Sequence, residues 1–369
     1  DPEARVWQLS VGEQQRVEIL KALDLGASLI ILDEPTAVLT PQEVSDLFAT
    51  LKRMVAEGHS LLFISHKLHE VLEVSDRVTV LRDGVTVGTR QTAEVTREEL
   101  VTLMVGRELK PQTHREATPG EAGLLVRDLH VQGDRGEEIV RGVDLRVDTG
   151  EILGLAGVSG NGQRELAEAL AGVREVTSGS VEVLGADLTN AHLNDRVRAG
   201  LSFIPEERMR DGAIREFTVE ENLFLRDHES EQFRRGLFLR FGEMERHASR
   251  LVEEYAVKTP SLDTPLRNLS GGNIQKLILA RELSRKPTVL IASQPTRGVD
   301  IGASEYIHQR LLAQRDAGTA ILLISEDLDE IRELSDRVAV IYAGRIVGLL
   351  DRADAEVERL GSLMAGVAV

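Results

Sequence analysis

The chain repeats itself at a fixed offset of 260 residues, and this constrains its fold more than any other feature. LSVGEQQRVEILKAL begins at Leu9, and LSGGNIQKLILAREL begins at Leu269. LIILDEPT ends at Thr36, and VLIASQPT ends at Thr296. SLLFISHKLHEVLEVSDRVTVLRDG opens at Ser60, and AILLISEDLDEIRELSDRVAVIYAG opens at Ala320. One register holds without a gap from Leu9 to Gly88, so the two stretches read as copies of one domain. A polar linker over residues 110–122 separates them. The expected organisation is the C-terminal part of a first domain over 1–109 and a second domain over 123–369. A first copy of equal length would open about 137 residues before Asp1, so an N-terminal truncation is expected.

Apolar runs of four to six residues recur between turn residues, at Leu29–Leu32, Leu61–Ile64, Val78–Leu81, Ile152–Ala156, Val289–Ala292, Ile321–Ile324 and Val338–Tyr342. They read as buried parallel strands. Helical patterns fall between them, over Val11–Leu25, Pro41–Glu57, Arg164–Gly172, Gly242–Tyr255 and Gly302–Ala317. The alternation predicts an α/β fold with helices over a mostly parallel sheet. Ligands in such sheets sit at the carboxyl ends of the strands.

Composition removes several alternatives. The chain of 369 residues has no cysteine, which excludes disulfides, Cys-ligated metals and thiol catalysis. Its 44 Lys and Arg stand against 61 Asp and Glu, a net charge of −17. That balance argues against a broad nucleic-acid footprint and leaves room for a small phosphate site. No run approaches the ~20 apolar residues that cross a bilayer. The nine His show no spacing suited to a metal and are expected mostly at the surface.

Phosphate chemistry is written at three places. GVSGNGQREL follows a strand, and the spacing from Gly157 to Gly162 matches a P-loop frame, with Gly160 inside it. The frame's Lys position holds Gln163 and its Ser/Thr position holds Arg164. A backbone cradle needs glycines and no side chains, so it can survive these changes. Arg164 is cationic, but at the wrong position. Read alone, the segment is equally a Gly-rich turn with no ligand. In LIILDEPT, Asp33 and Glu34 end a strand in the Walker B pattern. An Asp there holds Mg²⁺, usually through water, and the adjacent Glu polarises the attacking water. FISH places His66 after the next strand, within reach of a γ-phosphate. At matching positions the second copy has Ser293, Gln294 and Glu326. The second site thus reads as able to fold and poorly equipped to hydrolyse.

These motifs, in this order, resemble the ATP-binding subunits of ABC transporters. LSVGE and LSGGN look like the signature motif, through Ser10 and Gly12 in one copy and Ser270, Gly271, Gly272 and Asn273 in the other. Glu206, in Phe203–Glu206, stands where the family's Q-loop usually has Gln, and Ala37–Thr40 and Gly298–Asp300 stand at its D-loops. The tandem arrangement, with PTRGVDIGA and FIPEERMRDG, resembles the simple-sugar importers of the ribose, galactose and xylose type. GQREL, ISEDLDE and LVTLMVGREL are most similar to the nucleoside branch.

The resemblance implies two tandem ABC-type P-loop domains, the first incomplete, that bind ATP and Mg²⁺. It implies head-to-tail pairing of the domains. A competent site would then join Asp33, Glu34 and His66 to Ser270–Asn273, completed by an upstream P-loop and Q-loop. A degenerate site would join Gly157–Arg164 to Ser10 and Gly12, with Val11 and Glu13 weakening that signature. The chain as given is expected to need the upstream segment for turnover. Implied partners are transmembrane permease subunits and an extracellular solute-binding protein, with no nucleic acid. Two copies per transporter would sit at the cytoplasmic face of the membrane. The competing classes are a soluble non-transport ATPase of the same tandem type and a nucleotide-binding scaffold without turnover. The first would carry two intact sites and a long charged linker, which this chain lacks. EERMRD (Glu206–Asp211) reads as a solvated loop or a permease-facing segment, and RRGLFLR (Arg234–Arg240) as a surface or partner contact.

Overall fold

Strands of five residues that are apolar at every position need cover on both faces, and the second half of the chain supplies it. The computed structural model describes residues 6, 17–22, 27–36, 39, 41–65, 67–82, 84–106, 118–227, 230–235 and 238–366. Two units divide the chain, Asp1–Pro111 and Gln112–Val369.

In the first unit the order is β1 (Leu29–Asp33), α1 (Pro41–Ala56), β2 (Ser60–Ile64), α2 (Leu68–Val74), β3 (Arg77–Arg82), β4 (Val85–Gln91) and α3 (Arg97–Val105). Strands β1 and β2 pair in parallel, with Leu29 opposite Ser60. Ile30 and Leu32, on one face of β1, pack against Leu47, Phe48, Leu51 and Met54 of α1. The spacing of 47, 51 and 54 puts those side chains on one helical face. Thr96 caps α3 by accepting the Glu99 amide, and Gly106 ends it in the left-handed region.

The second unit runs β5 (Ala122–Gln132), β6 (Glu138–Asp148), β7 (Ile152–Ala156), α4 (Gln163–Ala171), β8 (Ser178–Val183), β9 (Ala186–Asp187), α5 (Leu193–Arg198) and β10 (Leu201–Ile204). It continues with α6 (Val219–Phe224), β11 (Arg234–Arg235), β12 (Phe238–Leu239), α7 (Phe241–Glu254), α8 (Gly271–Leu283), β13 (Val289–Ser293) and α9 (Ile301–Asp316). It closes with β14 (Ala320–Ser325), α10 (Leu328–Leu334), β15 (Arg337–Tyr342), β16 (Arg345–Asp351) and α11 (Val357–Met364). A six-stranded sheet has the order β10-β13-β14-β7-β15-β16. Its first five strands are parallel, and β16 is antiparallel to β15. A second, antiparallel sheet has the order β6-β5-β8-β9. Leu153, Leu155, Val289 and Ile291 face the core shared with that sheet and α4. Ile152, Leu290 and Ile321 face the opposite core, with Leu277 of α8 and Leu311 of α9.

The elements recur at the sequence offset. β1 matches β13, α2 matches α10, β3 matches β15 and β4 matches β16, residue for residue at 260. Two expectations fail in the first unit. β1 and β2 are not buried on both faces: Leu29, Ile31, Leu62 and Ile64 are exposed. The run Val78–Leu81 is not a parallel strand there, because β3 pairs antiparallel with β4. In the second unit β7 sits between β14 and β15 and is parallel to both. No described strand of the first unit takes that place, so β1–β2 and β3–β4 form separate two-stranded sheets. The antiparallel sheet β6-β5-β8-β9 was absent from the sequence reading.

The turn between β15 and β16 braces the loop after β7. The amide of Ala343 donates to Asn161 Oδ1 at 2.8 Å, and that of Gly344 donates to the Asn161 carbonyl at 3.1 Å. Gly344 has φ +80, and a Cβ there would lie 1.9 Å from the Ile139 carbonyl oxygen. Gly344→Ala is therefore expected to destabilise the second unit by about 2–4 kcal/mol, combining left-handed strain with overpacking. Urea unfolding of parent and variant checks this.

Candidate functional site

Parallel pairing puts the carboxyl ends of β7, β13, β14 and β10 on one edge of the sheet. That edge collects the loop 157–162, Ser293–Gln294, Glu326 and Pro205–Glu206. Gly160 and Gly162 take φ +86 and +103, and Gly162 is the N-cap of α4 without a side-chain cap. A Cβ on Gly157 would lie 2.6 Å from Gln163 Nε2 and 2.9 Å from the Ile341 carbonyl oxygen, so only glycine fits.

The two side chains at the Lys and Ser/Thr positions are both committed to protein groups. Gln163 is buried and donates through Nε2 to the Val158 carbonyl at 3.0 Å. Arg164 pairs with Asp134 at 2.8 Å and Glu165 at 2.9 Å, with Glu168 at 3.8 Å. Hydrogen bonds donated to Asp134 and Glu165 hold the Arg164 guanidinium above its ordinary pKa. Asp134 in turn is held at about 2 by hydrogen bonds from Arg174 and Arg164. The cation that the sequence offered at Arg164 is thus neutralised by its neighbours. Arg164, Glu206 and Ser293 share the wall of one cavity of about 320 Å³, with Phe203 and Arg210.

The acidic positions differ in chemistry and agree in backbone. Asp33 is exposed at the end of β1, and Glu34 follows with φ +46. Its amide donates to the Ile64 carbonyl at 2.9 Å. Gln294 follows β13 with φ +48, and its amide donates to the Ile324 carbonyl at 2.8 Å. A left-handed non-glycine residue costs roughly 1–2 kcal/mol, and both units hold one there. In each case the turn carries the side chain past the strand end. One unit presents two adjacent carboxylates, a set that suits Mg²⁺. The other presents buried Ser293 and Gln294, which do not.

Behind each turn lies a Thr–Glu hydrogen bond, buried in the first unit and part-buried in the second. Thr36 Oγ1 donates to Glu70 at 2.7 Å, and Thr296 Oγ1 donates to Glu330 at 2.8 Å. Ser65 and Lys67 also contact Glu70, at 3.1 and 3.5 Å. In the second unit His308 Nε2 lies 3.1 Å from Glu330, at the position that Phe48 holds in the first. The sequence reading missed Glu70, Glu330 and His308, although both acids and both Thr stand at the 260 offset. His308 also departs from the expectation of surface histidines, being 8% exposed.

At the signature position Ser270 is the N-cap of α8. Asn273 Nδ2 donates to Ser270 Oγ at 2.9 Å, and Asn273 Oδ1 accepts the Lys258 amide at 2.9 Å. Asn273 therefore fixes the Ser270 hydroxyl. Gly271 and Gly272 open α8, and Gly272 packs close to Ala303. Glu206 forms an ion pair with Arg297, three residues before Asp300. Arg208 donates to the Gly271 carbonyl at 3.0 Å and also to the Arg297 carbonyl. EERMRD is thus no simple solvated loop. Ser10, Gly12 and His66 lie outside the described residues, as do Ala37, Val38 and Thr40. Among the described residues no group of three or more His, Asp or Glu could hold a metal by itself.

A family model described as "ABC transporter" matches residues 2–37 and 140–297. The chain is 51% identical to the glucose import ATP-binding protein of Haloferax volcanii, over 99% of this chain and 67% of that one. It is 44% identical to the nucleoside import ATP-binding protein of Lactococcus lactis, over 99% of this chain and 72% of that one. It is 45% identical to the guanosine import ATP-binding protein of Bacillus subtilis, again over 99% and 72%. An ATP-binding cassette solved as a dimer in a post-hydrolysis state bound to ADP and Pi aligns with TM-score 0.53 and 18% identity, over 62% of this chain and 98% of that one. At that identity the likeness concerns the fold.

His308 carries a pH signature. Burial pulls its pKa down, but the Glu330 hydrogen bond and the charges of Glu330, Glu333 and Asp327 outweigh burial and raise it above 6.5. Its stabilising contribution is then fully present below pH 6.5 and is lost as pH rises through the folded-state value. Urea unfolding from pH 5.5 upward is expected to show the parent losing stability relative to His308→Phe over that window. A pH-independent difference between the two would contradict the assignment.

Proposed function

We propose that this chain, which belongs to the ABC transporter family of ATP-binding subunits, hydrolyses ATP to drive import of a nucleoside or a simple sugar. The cargo class is supported by the glucose, nucleoside and guanosine import relatives. The observation that carries the mechanism is the pair of equivalent turns. Glu34 and Gln294 share one backbone conformation, and only the first is a carboxylate with a second carboxylate beside it.

On this reading the two units are tandem copies of one domain. The first supplies a competent site and the second a degenerate one. Mg²⁺ bound with ATP would neutralise charge on the β- and γ-phosphates. Asp33 would hold that ion, and Glu34 would orient a water molecule toward the γ-phosphorus. The water oxygen would bond to phosphorus as the bond to the β–γ bridging oxygen breaks, with a water proton passing to the Glu34 carboxylate, giving ADP and phosphate. His66 is assigned to the γ-phosphate from its place in the FISH motif alone. In the second unit Gln163 is tied to Val158 and Arg164 to Asp134, which supports a site without turnover. The partners are transmembrane permease subunits and an extracellular solute-binding protein, and the chain works at the cytoplasmic face, two copies per transporter. No described helix is long and apolar enough to cross a membrane.

Steady-state Mg-ATP hydrolysis by the full-length protein in its transporter tests this. Glu34→Gln is expected to lower kcat by about 10²–10⁴-fold, the range for a positioned base. An unchanged rate would overturn the assignment of the working site to the first unit.

A further inference from the structure

We propose that Arg208 is a positioning residue that sets the aim of the turn Ser270–Asn273. The proposal rests on the reading above together with the expected joining of Ser270–Asn273 to Asp33 and Glu34 at one nucleotide site, where the amides that open α8 would meet a phosphate.

Arg208 reaches two separate pieces of the fold from the loop that follows β10. Its Nη1 donates to the carbonyl of Gly271, the first residue of α8, at 3.0 Å. Its Nη2 donates to the Arg297 carbonyl in the turn after β13. Both neighbouring glycines leave the guanidinium room. A Cβ on Gly271 would lie 3.3 Å from Nη1, and one on Gly298, at φ +60, would lie 3.1 Å from Nη2. Arg297 returns the contact, with its own guanidinium on Glu206 and 4.0 Å from Glu207. The loop and the turn therefore hold each other through reciprocal Arg contacts.

The same loop is fastened to α8 a second time. Arg281, buried within α8, donates to the Gly212 carbonyl at 2.7 Å and to the Asn222 carbonyl at 3.3 Å. Residues Arg208–Gly212 form a π-helical turn between the two attachments. Helix and loop are thus joined at the helix start and again almost three turns on.

The placement is electrostatically costly, which argues against an incidental contact. A cation beside a helix N-terminus opposes the helix dipole. Burial and the Arg297 charge both push the Arg208 pKa down, against the pull of Glu207. The guanidinium grips a carbonyl of the first turn and leaves the amide pole of the helix to an anion. A phosphate at Ser270–Asn273 would offset both positive charges and complete the arrangement.

The test compares the full-length transporter with its Arg208→Ala, Arg208→Lys and Glu34→Gln variants. Arg208→Ala is expected to raise KM for Mg-ATP about ten-fold, the effect of losing a charged hydrogen bond, with a smaller fall in kcat. Amide exchange in residues 268–277 should quicken, while the melting temperature stays close to that of the parent. Arg208→Lys should recover part of both effects, because an ammonium can reach one of the two carbonyls. Parent-like KM and exchange in Arg208→Ala, with turnover still abolished in Glu34→Gln, would overturn the proposal. Unchanged turnover in Glu34→Gln would instead overturn the site reading, and amide exchange would then decide the Arg208 clasp alone. Should Arg208→Ala fail to fold, Arg208→Lys is judged by the same two readouts against the parent.

Discussion

Strand β7 is the constraint on which the second unit depends. It is buried at every position and lies between β14 and β15. Its first amide, of Ile152, donates to Asp336 Oδ2 at 2.8 Å, and Glu151 just before it pairs with Arg337 at 2.6 Å. A Cβ on Gly154 would lie 2.3 Å from Ser335 Oγ, so α10 packs directly on the strand. Alternate side chains of β7 enter the two cores. The strand's end is therefore fixed in depth and direction before the loop 157–162 begins. The glycines of that loop then turn the chain into α4 without any contribution from catalytic side chains.

This separation of fold from chemistry lets two equivalent turns carry different side chains. At Glu34 and Gln294 the backbone is bonded alike and strained alike. The supporting Thr–Glu hydrogen bond is present in both units. Changes fall on the groups that would face a nucleotide, while the groups behind them keep their contacts. His308 shows the second unit elaborating the support: it adds an ionisable partner for Glu330 where the first unit packs Phe48 against Phe63.

Much of this was legible in the sequence because the repeat supplied two readings of each element. Strand starts and ends at β13, β14 and β15 followed the apolar runs to within a residue. The backbone of the loop 157–162 was legible through glycine spacing, since left-handed residues at Gly160 and Gly162 are what such spacing encodes. The antiparallel sheet was not legible. Its strands mix charged and apolar residues over bulges, as at Val126–Leu129 opposite Leu145–Val143, and the register shift breaks the alternation. Arg208 was not legible either, because its partners are the backbone carbonyls of residues 63 and 89 positions away. A mixed-charge run such as EERMRD looks the same whether its guanidiniums face water or carbonyl oxygens. The first unit's exposed strand faces were illegible for a related reason: cover depends on neighbouring strands, which a run's own residues do not specify.

At its sheet edge the second unit carries side chains that the protein itself satisfies. A carboxylate at the end of a buried strand must be compensated by a cation or by hydrogen bonds, or its burial is costly. At position 293 the chain has serine, which is 2% exposed and carries no charge to compensate. At position 163 it has an amide that satisfies a loop carbonyl within its own P-loop frame. At position 164 it has a cation, but three carboxylates stand around it. Each change lets the edge of the sheet satisfy itself without a ligand. The first unit differs: it keeps Asp33 and Glu34 side by side, with Asp33 exposed at the strand end, where the proposed Mg²⁺ would be held. Under the proposed function, self-sufficiency on one side and two adjacent carboxylates on the other would be the physical content of the asymmetry.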